Sequence, residues 1–179
     1  MSRLALRIIS VAGVIALLGV GSYAIAGGGT KNFDGSPLSG YEENPDVSTV
    51  ATGAFDARLA RDGNSLTYEL SYSGLEGTVQ QAHVHFGKTA INGGISFFLC
   101  TNLNAVTTDD CPQSGTVTGE IDSADVIGPA PQGIEVGNLA EIVAAMRAGH
   151  AYANVHSSKW PGGEIRAQIN NRGDDDDDD

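Results

Sequence analysis

The chain has 179 residues, 41% of them hydrophobic, which is enough for one domain with its own core. Its 22 acidic residues outnumber 10 basic ones, for a formal net charge of −12 at pH 7. That balance excludes nucleic-acid binding, which needs a basic face to neutralise phosphates.

Residues 1–26 read as a secretory signal peptide. Arg3 and Arg7 form a positive start, Ile8 to Val20 an apolar stretch, and Ala24-Ile25-Ala26 a small-residue cleavage site. An uncleaved membrane anchor is the alternative, because the apolar stretch with its flank approaches a short spanning length. The glycines at 13, 19, 21 and 27 to 29 and the small-residue exit favour cleavage near Ala26. The expected location is therefore secreted, periplasmic or cell-surface, with membrane contact only through an uncleaved signal.

Residues 27–36 are rich in Gly, Asn and Ser and read as a flexible leader to a domain over 37–170. Within Val47 to Leu59, Phe55, Ala57 and Leu59 share one face and Asp56 and Arg58 the other. Arg61-Asp62-Gly63-Asn64 supplies turn chemistry. Ser65 to Tyr72 then alternates, with Leu66, Tyr68, Leu70 and Tyr72 inward, and the pair predicts a hairpin. Gly74 to Gly77 turns the chain into Ala82-His83-Val84-His85-Phe86-Gly87, where Ala82, Val84 and Phe86 oppose Gln81, His83 and His85. Ile95 to Leu99 predicts a short strand and Thr101 to Ser114 a polar loop.

Cys100 and Cys111 are the only cysteines. In an exported chain such a pair is most simply a disulfide, closing a loop of about a dozen residues worth roughly 3 kcal/mol. A redox-active or metal-binding thiol pair is the alternative, but the spacing is far from Cys-x-x-Cys.

Gly115 to Ile121 predicts another strand. Asn138 can cap a helix over Leu139 to Ala148, with Glu141 at the capping-box position and Gly149 as the stop. Its stripe of Leu139, Ile142, Val143 and Met146 is suited to covering one end or edge of a sheet. In the next stretch Ala151, Ala153 and Val155 oppose Tyr152, Asn154 and His156, and a tight Ser157 to Gly163 loop leads into Glu164 to Ile169. Residues 171–179 end in six aspartates and read as a disordered acidic tail. Weak cation binding or an engineered tag are the alternatives there. Strands at this spacing predict a mostly β fold: an antiparallel, Greek-key-like sandwich or barrel with one short covering α-helix.

His83 and His85 lie two apart on one strand, so both rings project from one face. That is the local geometry for two imidazoles sharing a transition metal, with His156 as the third ligand. Three imidazoles favour Cu or Zn over Ca or Mg, which take oxygen ligands. Tyr152, Asn154, Glu164 and Arg166 would share the same patch. The bland alternative is that each histidine hydrogen-bonds a neighbouring carboxylate or carbonyl, with Glu164 or Asn154 able to serve, while Glu164 and Arg166 form a cross-strand ion pair. His150, just past the helix, reads as a surface residue. No nucleophile elbow surrounds a serine, and among candidate carboxylates for hydrolysis only Glu164 sits in a marked motif. Trp160 reads either as a lid over the hairpin or as an exposed contact for a partner or sugar.

Several of these stretches together resemble the CHRD domain, the module named after the growth-factor antagonist chordin and common in secreted bacterial proteins. Leu38-Ser39-Gly40-Tyr41-Glu42-Glu43-Asn44-Pro45 is similar to its L-S-G-x-x-E-x-P opening. Tyr68-Glu69-Leu70, Ser73-Gly74-Leu75 and Ala82 to Gly87 follow in order. Arg147 to His156 and Gly162-Gly163-Glu164-Ile165-Arg166-Ala167-Gln168 close the match, which spans roughly Leu38 to Ile169. Asn44-Pro45-Asp46 stands where two prolines are usual, and Ser157 where Thr is usual. The His-x-His strand also resembles that of copper–zinc superoxide dismutases, but their site needs more histidines than this chain holds.

The resemblance implies a secreted, non-enzymatic binding or surface-associated domain, whose partner is an extracellular protein, a polysaccharide or a metal ion. A copper- or zinc-binding protein using His83, His85 and His156 is the second reading, and an enzyme of unknown class the third.

Overall fold

The computed structural model describes residues 31–103 and 109–172. The signal segment, the start of the leader, residues 104–108 and the aspartate run lie outside the described residues. Nine strands and one α-helix are described: β1 (Asn32–Leu38), β2 (Thr52–Leu59), β3 (Ser65–Ser73), β4 (Val79–Phe86), β5 (Gly94–Thr101), β6 (Gly115–Asp122), α1 (Leu139–Arg147), β7 (Ala151–Ser157), β8 (Ile165–Gln168) and β9 (Asn170–Arg172).

The strands form two antiparallel sheets, one ordered β6-β3-β2-β1-β9 and the other β5-β4-β7-β8. They pack face to face as a sandwich rather than closing into a barrel. Phe33, Phe55, Leu66 and Leu70 from the first sheet meet Val84, Phe97, Leu99, Val155 and Ile165 from the second in one buried core. The predicted hairpin is present, with β2 and β3 in register from Thr52 opposite Ser73 to Leu59 opposite Leu66. Helix α1 is capped by Asn138, whose side chain accepts from the Glu141 N–H, and it buries Leu139, Ile142, Val143 and Met146.

Two boundaries differ from the sequence reading. The leader assigned to 27–36 gives way to β1 at Asn32, because Phe33 is fully buried and the strand pairs with both β2 and β9. At the other end Asn171 and Arg172, assigned to the acidic tail, belong to β9. Within the segment read from Glu164 to Ile169, β8 (Ile165–Gln168) pairs with β7 in the second sheet, and the next strand, β9, begins beyond it at Asn170 and pairs with β1 in the first. The chain changes sheets at Ile169, which is fully buried.

A larger difference concerns the second sheet's outer face. Its alternation of polar and apolar residues predicts a half-solvated sheet, yet every residue of β7 is buried. The chain after β1 covers that face. Ser39 exchanges backbone hydrogen bonds with Arg166 on the edge strand β8, at 3.1 and 3.2 Å. The following residues fold into a tight turn in which the Gly40 carbonyl accepts from Glu43 and Val47. A side chain at position 40 would collide with the Val47 carbonyl, which is why glycine stands in the L-S-G motif. Thr49 then donates to Glu164 at 2.9 Å. Glu164 is fully buried and also accepts from Ser157 Oγ at 2.5 Å and the Glu76 N–H at 2.8 Å, tying three segments together.

Cys100 and Cys111 form a disulfide. Asn102 bridges the loop it closes, donating to the Val79 and Cys111 carbonyls and accepting from the Cys111 N–H. A Cys100→Ala/Cys111→Ala variant is expected to keep its far-UV circular dichroism and to lose about 3 kcal/mol of stability in urea denaturation, through the freed entropy of the unfolded loop. Unchanged stability would contradict this account.

Candidate metal centre

The polar faces of β4 and β7 meet beneath the covering segment. In their register His85 lies opposite Tyr152, His83 opposite Asn154, and Gln81 opposite His156. His156 is thus diagonal to His83, with ring centroids 4.7 Å apart, while His83 and His85 are 5.3 Å apart and His85 and His156 are 6.1 Å apart. Register shifts in the β4–β5 pairing at Ala82/His83 and Val84/His85 accompany this stretch of strand. One ring nitrogen from each histidine lies within 4.8 Å of the others. All three residues are buried, His83 at 1% exposure.

The outer nitrogens of two rings are fixed by backbone. His85 Nδ1 donates to the Gly93 carbonyl at 3.0 Å and His156 Nδ1 to the Pro161 carbonyl at 3.1 Å. A carbonyl only accepts, so each Nδ1 carries the proton and each Nε2 presents a lone pair. Both Nε2 atoms, and both nitrogens of His83, are buried without a hydrogen-bond partner. Burial holds all three imidazoles neutral: His83 is pushed down to about 2 and His85 to about 4, with neighbouring imidazoles adding to the effect, and His156 is lowered as well.

Aromatic groups wall the cluster. Phe98 meets His83 edge-on at 4.6 Å, and Tyr152 stacks on His85 at 4.8 Å with the rings parallel to within 1°. The Tyr152 hydroxyl accepts from the Gly93 N–H at 3.1 Å, so one loop residue positions both rings. The Arg166 guanidinium lies over Tyr152 at 4.8 Å.

The anticipated patch residues are brought to this region with different tasks. Asn154 donates to Glu43 at 2.6 Å and to the Ile165 carbonyl at 2.8 Å. Glu164 and Arg166 go to separate partners rather than to each other: Arg166 donates to the Glu42 and Ile91 carbonyls and to Asn92, and sits 3.8 Å from Glu43. His85 and His156 bond carbonyls, as the bland reading has it, but those of Gly93 and Pro161 rather than Glu164 or Asn154. His150 is exposed, as expected. Trp160 is half-buried and donates to Glu76 at 3.2 Å.

Glu43 is the residue that sequence reasoning missed. It is the acid of the L-S-G-x-x-E motif, and it is 6% exposed, with burial pushing its carboxyl up to about 7 against the pull of Arg166 and Asn154. Gly163, in the left-handed region at φ +129°, packs against Glu43 and Asn154, where a Cβ would lie 2.7 Å from Glu43 Oε1. Two loops join beside it: Asn44 donates to the Ala90 carbonyl and Asn92 to the Asn44 carbonyl, each at 2.9 Å.

Fold and site together define a β-sandwich domain with one buried, pre-assembled polar cluster. The chain belongs to the CHRD domain family, whose model matches residues 35–169. No match is found among curated proteins or solved structures. Membership supports a binding-type domain. Domains of this family are typically extracellular, and the disulfide fits such a compartment. Among the described residues no helix is long and apolar enough to cross a membrane.

The buried histidines set an acid limit on stability. Each is neutral when folded and takes up a proton near pH 6.5 when unfolded, so the unfolded state binds more protons and stability falls as pH drops through that window. The slope approaches about 1.4 kcal/mol per pH unit for each histidine, extending to about pH 4 for His85 and lower for His83. Glu43 opposes one of these protons between its unfolded value of 4.5 and about 7, and leaves the histidines unopposed below. Denaturation of metal-free protein between pH 7 and pH 4 is expected to show this loss, with a shallower slope in a His83→Phe variant. A flat profile would remove the neutral-cluster description.

Proposed function

We propose that this protein is an exported, non-enzymatic binding domain whose ligand is a transition-metal ion, copper or zinc, held by His83, His85 and His156. The observation that carries the reading is the set of buried imidazole nitrogens with no partner, converging from two strands. A buried polar nitrogen left unpaired costs about 1–3 kcal/mol, so a cluster of them is sustained where a cation accepts the lone pairs. The Nδ1–H bonds to Gly93 and Pro161 carbonyls are the outer-sphere contacts that orient histidine ligands and fix their tautomer.

Spacing supports the same reading. Bonds of about 2.0–2.1 Å from one ion to three nitrogens place those nitrogens roughly 3.5 Å apart. The present separations of up to 4.8 Å close to that value by shifts of about an ångström. Calcium and magnesium are disfavoured, since the cluster offers imidazole rather than oxygen. Export is inferred from the signal-like residues 1–26, the disulfide and the family.

Metal analysis of tag-free protein after equilibration with Cu or Zn is expected to give one ion per chain. His83→Ala and His156→Ala should each weaken binding roughly 100-fold or more while circular dichroism stays native. A folded wild type that retains neither ion would overturn the proposal.

A further inference from the structure

The ligand set, its burial and the neighbouring guanidinium point to an oxidation state: we infer that the three-histidine site is built for monovalent copper, Cu(I), in preference to Cu(II) or Zn(II). This deepens the reading above and rests on it.

Charge is the first argument. Three neutral imidazoles cancel none of the ion's charge, and among the described residues no carboxylate or thiolate joins the cluster. All three ligands are buried, and the Born cost of burying an ion rises with the square of its charge, about fourfold from one charge to two. Arg166 adds to the bias: its guanidinium, 4% exposed, lies 4.8 Å from the Tyr152 ring, which itself stacks on His85 at 4.8 Å. Its repulsion doubles for a divalent ion. The buried acid Glu43 is engaged by Arg166 at 3.8 Å and by Asn154 at 2.6 Å, and burial disfavours its charged form. Local charge therefore penalises a second positive charge twice over.

Coordination number is the second, independent argument. Zn(II) takes four ligands, with water as the fourth where the protein supplies three, and Cu(II) prefers a tetragonal set. Cu(I) is a closed-shell ion that is satisfied by three nitrogens in a plane. The walls here are the edge of Phe98 against His83 and the face of Tyr152 against His85. Each ring gives one nitrogen to a given ion, so the three histidines supply three ligands, and among the described residues no fourth protein donor is grouped with them.

The test is a set of competition titrations on the intact, disulfide-bonded wild-type protein. Cu(I), kept reduced by ascorbate without oxygen, is titrated against bicinchoninate, and Cu(II) and Zn(II) against chelators of matched strength. Cu(I) is expected to bind at least ten-fold tighter than Cu(II), which raises the bound copper couple by 59 mV per tenfold above the aqueous couple, and tighter than Zn(II). The copper X-ray absorption edge of the loaded protein should be that of three-coordinate Cu(I). An Arg166→Gln variant, if folded, should narrow the gap between Cu(I) and Cu(II). Divalent binding equal to or tighter than Cu(I) would overturn this inference and leave the metal site standing. Folded protein that takes up none of the three ions would overturn both.

Discussion

The structure depends on the burial of what would ordinarily be the wet face of a β-sheet. The chain between β1 and β2 lies across the outer side of the four-stranded sheet, held by the Ser39–Arg166 backbone pair and by Thr49 on Glu164. The imidazoles of His83, His85 and His156 lie on that buried face, His85 against the Gly93 carbonyl and His156 against the Pro161 carbonyl, and burial holds them neutral. The protein maintains a polar cluster in a low-dielectric place by satisfying the groups around it while leaving the inward-facing nitrogens free.

Two carboxylates show how that is arranged. Glu164 serves as a structural hub, accepting from Thr49, Ser157 and the backbone of Glu76, and so joins the cover, β7 and the β3–β4 turn. Glu43 comes from the cover itself and bonds the next layer, Asn154 and Arg166. The glycines of the two end motifs are explained by the same contacts. Gly40 permits the turn that carries Glu43 inward, and Gly163 leaves room for Glu43 and Asn154.

The CHRD family has a recognisable signature spread over distant parts of the chain, and the structure gives those parts a common location. The L-S-G-x-x-E turn, the A-H-x-H-x-G strand, the A-N-V-H strand and the G-G-E-I-R hairpin all border one buried region. Between them lie three ring nitrogens within 4.8 Å of one another, with backbone carbonyls behind two of the rings.

From the chain alone, the two-residue periodicity, the capped helix and the cysteine pair determined a mostly β, antiparallel sandwich or barrel with one helix and one disulfide, since these follow from local geometry and short spacing. The neighbours His83 and His85 were legible for the same reason: two apart on a strand means the same face. Tertiary structure alone decided that His156 falls diagonal to His83, because strand register across 73 residues of sequence is set by core packing. It also decided that Asn32 to Gly35 pair as a strand, and that the polar face is covered by a segment whose own Glu43 turns inward and is buried. Those outcomes depend on which segment lies over which sheet, and a pattern of alternating residues carries no record of what packs above it.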